Sequence, residues 1–175
     1  MTLFLVSAAL GAAGWPDGIP AAVVAVGFTT GLPLAGVLLL VRSGHLSDHH
    51  ISDRRQRAPV LAATLVSIAA GLGVLALLDT PRAVLAAVLS TVAGVVAVLV
   101  VNLWWKLSAH CAVAAFVTVG SFSLFGTGAA PLALMSAAVG WSRVRLGAHT
   151  PAQVAAGYLV GAVIGAAFAV FLARA

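Results

Sequence analysis

Apolar stretches long enough to matter to a lipid bilayer follow one another along almost the whole chain. They lie at roughly residues 20–41, 60–78, 83–103, 109–125, 130–141 and 151–173, separated only by short polar or Gly/Pro breaks. A helix rises about 1.5 Å per residue and a bilayer core is about 30 Å thick, so runs near 20 residues cross it. Backbone groups in hydrocarbon must pair within their own segment, which makes helices the natural solution for such runs. A soluble globule fails on charge. Nine basic and four acidic residues are all that the 175-residue chain carries, whereas soluble domains hold about 25% charged residues. The apolar excess must face lipid.

The expected fold is therefore all-α, an integral membrane bundle of six core transmembrane helices plus a short N-terminal helix, forming one domain over residues 1–175. The opening residues 2–14 are apolar, yet they lack the positive n-region of a signal peptide and further spans follow. As a helix they reach only about 20 Å. Trp15, Trp104, Trp105 and Trp141 fall at span ends, where aromatic anchors sit in the headgroup layer. The last span carries Gly157, Gly161 and Gly165, a small-residue stripe that lets a neighbouring helix approach closely. We read the stripe as packing within the bundle, with a homodimer face as the alternative.

Counting spans places the polar loops at 42–59, 104–108 and 142–150 on one membrane face. That face carries Arg42, Arg54, Arg55, Arg57, Lys106, Arg143 and Arg145, together with His45, His49, His50, His110 and His149, while Arg82 and Arg174 lie opposite. The positive-inside rule absorbs much of the arginine bias and points to the cytoplasm. It does not account for histidines at the mouths of apolar helices, where ionisable groups are functional candidates. The net charge of +5 is no argument for nucleic acid, because no Lys/Arg run with interleaved aromatics exists. Cys111 is the single cysteine, so no intrachain disulfide forms.

Two segments concentrate chemistry. In Trp141-Ser-Arg-Val-Arg-Leu-Gly-Ala-His149-Thr-Pro-Ala-Gln153, Arg143 stands six residues before His149 at the start of a helix. A guanidinium fork beside an imidazole suits a phosphoryl group. Thr150 reads as a helix cap with Pro151 at the first helical position, so amide N–H groups and the positive helix end lie near His149. Thr150 to Gln153 also has the pattern of a capping box. In the second segment Lys106, Leu107, Ser108 and Ala109 lead into His110, with Ser108 as the expected cap. Two histidines with guanidinium groups suit phosphoryl transfer in which one imidazole attacks and the other protonates the leaving oxygen. Asp48-His-His-Ile-Ser-Asp53 alternates carboxylates and imidazoles without a recognised ligand spacing, and its acids are more simply partners of Arg54, Arg55 and Arg57. No metal or cofactor is expected.

These residues resemble the three signatures of the type 2 phosphatidic acid phosphatase superfamily, which includes lipid phosphatases and vanadium haloperoxidases. Ser142-Arg143, five residues and His149 are similar to the third signature. Ser108-Ala109-His110 resembles the second, Pro-Ser-Gly-His, with Leu107 and Ala109 as departures. Arg57-Ala58-Pro59 resembles the end of the first, in which His50 holds the position of a lysine. The resemblance implies His149 as nucleophile, His110 as general acid, and Arg57 and Arg143 as phosphate clamps. It implies contacts from Lys106, Ser108, Ala109, Ser142, His50 and Gln153, with Lys106 a candidate for the charge that His50 does not supply. Gln153 stands where the family has an aspartate. The implied activity is hydrolysis of a prenyl (di)phosphate or phosphatidyl phosphate by a multi-pass plasma-membrane enzyme, through a phosphohistidine. Family members often work at the outer face. The alternatives are a prenyl diphosphate-using lyase or transferase, and a noncatalytic lipid-phosphate binder or transporter.

Overall fold

The computed structural model describes residues 1–45 and 54–174, with side chains for all of these except residues 54–58. Among the described residues every regular element is helical: α1 (Thr2–Ala13), α2 (Ile19–Val26), α3 (Leu32–Arg42), α4 (Arg54–Ala76), α5 (Arg82–Trp104), α6 (Ala109–Phe125), α7 (Ala130–Arg145) and α8 (Pro151–Arg174). Five helical stretches are long and apolar enough to cross a membrane, namely Ile19–Arg42, Pro59–Ala76, Arg82–Trp104, Ala109–Arg145 and Pro151–Arg174. They are compatible with a multi-pass membrane protein. Surface composition agrees, since Leu39 is 63% exposed, Leu134 76% and Leu159 67%. Apolar side chains this exposed on successive helices are compatible with a lipid-facing surface.

The chain divides into two compact units, one of residues 2–88 and one of residues 89–175 together with Met1. In the first unit α2 and α3 form one continuous stretch through a π turn at Gly27–Gly31. In the turn the Leu32 amide bonds Gly27 O, five residues back, and Pro33, which has no N–H to donate, follows it. The Phe28 carbonyl accepts the Ser67 hydroxyl of α4 at 2.8 Å. Gly71 leaves the space that the Phe28 ring fills.

The second unit holds the end of α5 with α6, α7 and α8. Gly157 faces Ser108 and Cys111, Gly161 faces Ala112 and Ala115, and Gly165 faces Phe116 and Val119. Both sets of numbers climb together by four, so α6 and α8 run parallel. The glycine stripe thus packs inside the bundle, where a Cβ at Gly161 would overlap the Ala112 carbonyl. Close backbone approach replaces the hydrophobic drive that lipid-soluble helices lack. Phe116 and Phe168 meet edge to face with ring centroids 6.0 Å apart farther along the same seam.

Helix α7 runs antiparallel to α6. Gly126 takes φ +56 and ψ −140, a conformation open to glycine, and a 3-10 turn over Gly126–Ala129 returns the chain. Thr118 then donates to the Leu132 carbonyl at 3.3 Å across the hairpin. Tyr158 of α8 donates its hydroxyl to the Ser136 carbonyl of α7, and Gly140 leaves room for that ring. The starts of α6 and α8 and the end of α7 consequently share one end of this unit.

Two expectations are corrected. Helix α7 continues through Arg145, so Ser142 and Arg143 are helical and not part of a loop. Helix α4 begins at Arg54, which moves Arg54, Arg55 and Arg57 from the loop onto a helix. Polar residues there mark where the chain leaves the apolar zone, which is a different event from the end of hydrogen bonding.

Candidate active site

The spacing between Arg143 and His149 has a structural cause. Gly147 adopts φ +65, and its amide bonds Val144 O at 3.0 Å while the Ala148 amide bonds Arg143 O at 3.0 Å. This is the Schellman pattern that closes helix C-termini with a left-handed glycine. The His149 amide adds a bond to the same Arg143 carbonyl at 3.2 Å. The backbones of the arginine and the histidine are therefore joined directly.

One residue later α8 begins with a reciprocal cap. The Thr150 amide donates to Gln153 Oε1 at 3.1 Å, and the Gln153 amide donates to Thr150 Oγ1 at 3.3 Å. The capping box expected from sequence is present. The same Oε1 lies 3.3 Å from His149 Nδ1. Gln153 is thus both the cap and the neighbour of the imidazole.

The α5–α6 turn docks on this loop. Ser108 N bonds Gln153 O at 3.4 Å, and Lys106 Nζ donates to Ala148 O at 2.8 Å. Lys106 is exposed and holds the backbone beside His149. Ser108 occupies the cap position of α6, but its hydroxyl makes no cap bond there. The helix start is served by the Ser108 carbonyl, which accepts the Ala112 amide at 3.1 Å. Ala109 and His110 form the first turn of α6, where backbone N–H groups have no acceptor within the helix.

Two buried polar atoms in this cluster have no hydrogen-bond partner, Ser108 Oγ and Arg143 Nε. Ser108 is fully buried, and leaving a buried donor unpaired costs about 1–3 kcal/mol. Ser142 is different, because its hydroxyl is engaged by Val139 O of its own helix at 2.8 Å. His110 is exposed and lines a cavity of about 380 Å³ that runs between α6 and α7 past Val113, Val117, Met135 and Val139.

The structure therefore brings Lys106, Ser108, Ala109, Arg143, His149 and Gln153 to one end of the second unit, with His110 at the head of α6. Arg57 lies on α4 in the other unit and its side chain is outside the described residues, as are His50 and the Asp48–Asp53 segment. Sequence reasoning missed two residues. Gly147 was legible as a glycine just past a helix end. Asn102, the lone polar residue in the last turns of α5, is buried and donates to Val98 O at 2.7 Å while its Oδ1 accepts the Leu107 amide at 3.4 Å. It fixes the turn that presents Ser108. No protein-family model, curated protein or solved structure matches this chain.

Proposed function

We propose that this protein is a membrane phosphatase that hydrolyses the phosphate or diphosphate headgroup of an amphiphilic lipid through a phosphohistidine. The observation that carries this reading is the pair of unpartnered buried donors, Ser108 Oγ and Arg143 Nε, in the cluster that holds His149. A tetrahedral oxyanion supplies the acceptors both lack, and a guanidinium matches phosphoryl oxygens in charge and planar geometry. Amide groups at the starts of α6 and α8 add positive potential at the same end. In this reading the bundle has six core spans. The 37-residue stretch Ala109–Arg145 counts as two, since it reverses at Gly126.

The chemistry follows in two balanced steps. An imidazole nitrogen of His149 attacks phosphorus, the bond to the lipid oxygen breaks, and His110 gives that oxygen a proton. Water then attacks the phosphohistidine, His110 takes a water proton, and the N–P bond breaks to release phosphate. The α6–α7 groove beside His110 is apolar enough to lie against the substrate's hydrocarbon part. Preorganised donors at Ser108 and Arg143 stabilise charge on the equatorial oxygens in both steps.

The test is phosphate release by purified protein in vesicles containing a prenyl monophosphate, a prenyl diphosphate or a phosphatidic acid, with a chelator present. Release should vanish in His149→Ala, and a trapped phosphoenzyme should be acid-labile and alkali-stable. Release that survives His149→Ala would overturn the mechanism. The amide at Gln153, in place of a carboxylate, favours a noncatalytic lipid-phosphate binder as the second reading. Saturable binding of the same lipids without turnover would establish that instead.

A further inference from the structure

We infer that Lys106 is a specificity-determining residue that favours a diphosphate headgroup over a monophosphate. The inference rests on the phosphatase reading of the site and names the substrate class within it. Lys106 and Ser108 are two residues apart in the α5–α6 turn, yet they stand at different depths. Ser108 is fully buried with its hydroxyl unpartnered, whereas Lys106 is exposed. Leu107 between them is buried, and its amide is held by Asn102 Oδ1 at 3.4 Å. The ammonium is fixed as well, because Nζ donates at 2.8 Å to the Ala148 carbonyl, in the peptide that leads into His149. A long, freely rotating lysine loses rotamer entropy when it takes hold of a ligand. Here the fold has already ordered it.

An ammonium carries three N–H donors, and the Ala148 carbonyl occupies one. No acidic side chain of the same unit competes for the other two, since Asp17, Asp48, Asp53 and Asp79 all precede residue 89. The buried pair, Ser108 Oγ and Arg143 Nε, takes the oxygens of the phosphoryl group being transferred. Beyond that group a monophosphate offers only its ester oxygen and hydrocarbon. A diphosphate sets a second phosphate on the outward side of the buried pair, at the level of Lys106. When His149 attacks the terminal phosphorus, the bond to the bridging oxygen breaks and its electron pair leaves on a lipid monophosphate. An ammonium beside that group offsets the charge as it develops, a stabilisation that the monophosphate reaction does not use.

The experiment compares kcat/KM for a prenyl diphosphate and a prenyl monophosphate of equal chain length, with full-length protein in detergent micelles. Lys106→Gln keeps a donor for the Ala148 carbonyl and removes the charge. It should lower kcat/KM for the diphosphate about tenfold more than for the monophosphate. Lys106→Arg should retain the diphosphate preference. Arg145→Gln removes a charge from the same end of the unit, two residues after Arg143 and about 200° around α7, and should leave the ratio as it was. The preference should also shrink as ionic strength rises from about 0.05 to about 0.5 M, because an exposed ammonium is screened. Equal losses on both lipids in Lys106→Gln would mean that the lysine only holds the loop, and would overturn the inference. Calorimetric binding of inorganic pyrophosphate and inorganic phosphate separates this inference from the reading beneath it. Pyrophosphate bound about tenfold more tightly, with the difference lost in Lys106→Gln, in a protein that releases no phosphate from either lipid would uphold the role of Lys106 and refute the phosphatase reading. Turnover of both lipids in a ratio that Lys106→Gln does not change would uphold the phosphatase reading and refute the role of Lys106.

Discussion

Replacement of Gly157 by alanine tests the α6–α8 seam and the site together. An added Cβ would stand 2.5 Å from the Ser108 carbonyl oxygen and 3.1 Å from Cys111 Cβ. A carbon–oxygen contact is comfortable from about 3.3 Å, so the helices must part by roughly 0.8 Å. The obstacle is backbone, which cannot swing aside as a side chain can. Overpacking of this kind costs about 1–3 kcal/mol, and the helix-propensity gain of Gly→Ala returns at most about 1 kcal/mol. We expect a net loss of about 0–3 kcal/mol, read as a lower Tm in detergent. The Ser108 amide bond to Gln153 O is already 3.4 Å long, so the same displacement breaks it. Misplacement near 1 Å lowers a rate by about 10²-fold. Gly73→Ala is the control, since nothing lies within 4 Å of its Cβ position. It should leave activity intact and raise stability by up to about 1 kcal/mol. A Gly157→Ala protein as stable and as active as the Gly73→Ala protein would refute the close-packed seam.

Ser108→Ala removes a buried hydroxyl that has no protein partner, so Tm should hold or rise by an amount equivalent to about 1 kcal/mol. Phosphate release should fall by about 10²-fold, as when an oxyanion donor is removed. Arg143→Lys keeps the charge but loses Nε and the planar fork, and substrate affinity should drop by about 1.5–3 kcal/mol, measured as a rise in KM. Gly147→Ala forces a side chain into the left-handed region at φ +65. It should destabilise the protein by about 1–2 kcal/mol and slow turnover, because the loop that seats His149 is lost; an unchanged Tm would contradict the Schellman closure.

The sequence made the helices legible because apolar length is a strong signal where lipid is the solvent. It located α1, α6 and α8 to within about two residues at each end. It misjudged the end of α7 because Ser142, Arg143 and Arg145 are polar, yet a helix ends where its carbonyls find other donors, and Gly147 provides that event. Pro59 looked like the close of a loop, although a proline in the first turns is compatible with a helix that has already begun at Arg54. At the site, Thr150 and Gln153 were readable as a cap because the pattern is local. The Ser108 hydroxyl was not, since whether a serine at a cap position uses its oxygen depends on neighbours contributed by other helices.

Gln153 began with two competing readings, a helix cap or a stand-in for a catalytic carboxylate. The two are compatible in space, for one oxygen lies within reach of both the Thr150 amide and His149 Nδ1. A carboxylate at this position would accept the Thr150 amide equally well, so the cap does not by itself select an amide. What the amide gives up is charge alone. With the oxygen held by the Thr150 amide, an acceptor also faces Nδ1. A triad whose amide lacks such a guard loses orientation and charge together, whereas this site should lose only the electrostatic share. That difference predicts faster formation of the phosphohistidine in a Gln153→Glu protein, seen as a larger pre-steady-state burst of released alcohol. A burst no larger than that of the unmodified protein would mean that charge at 153 is not what limits the first step.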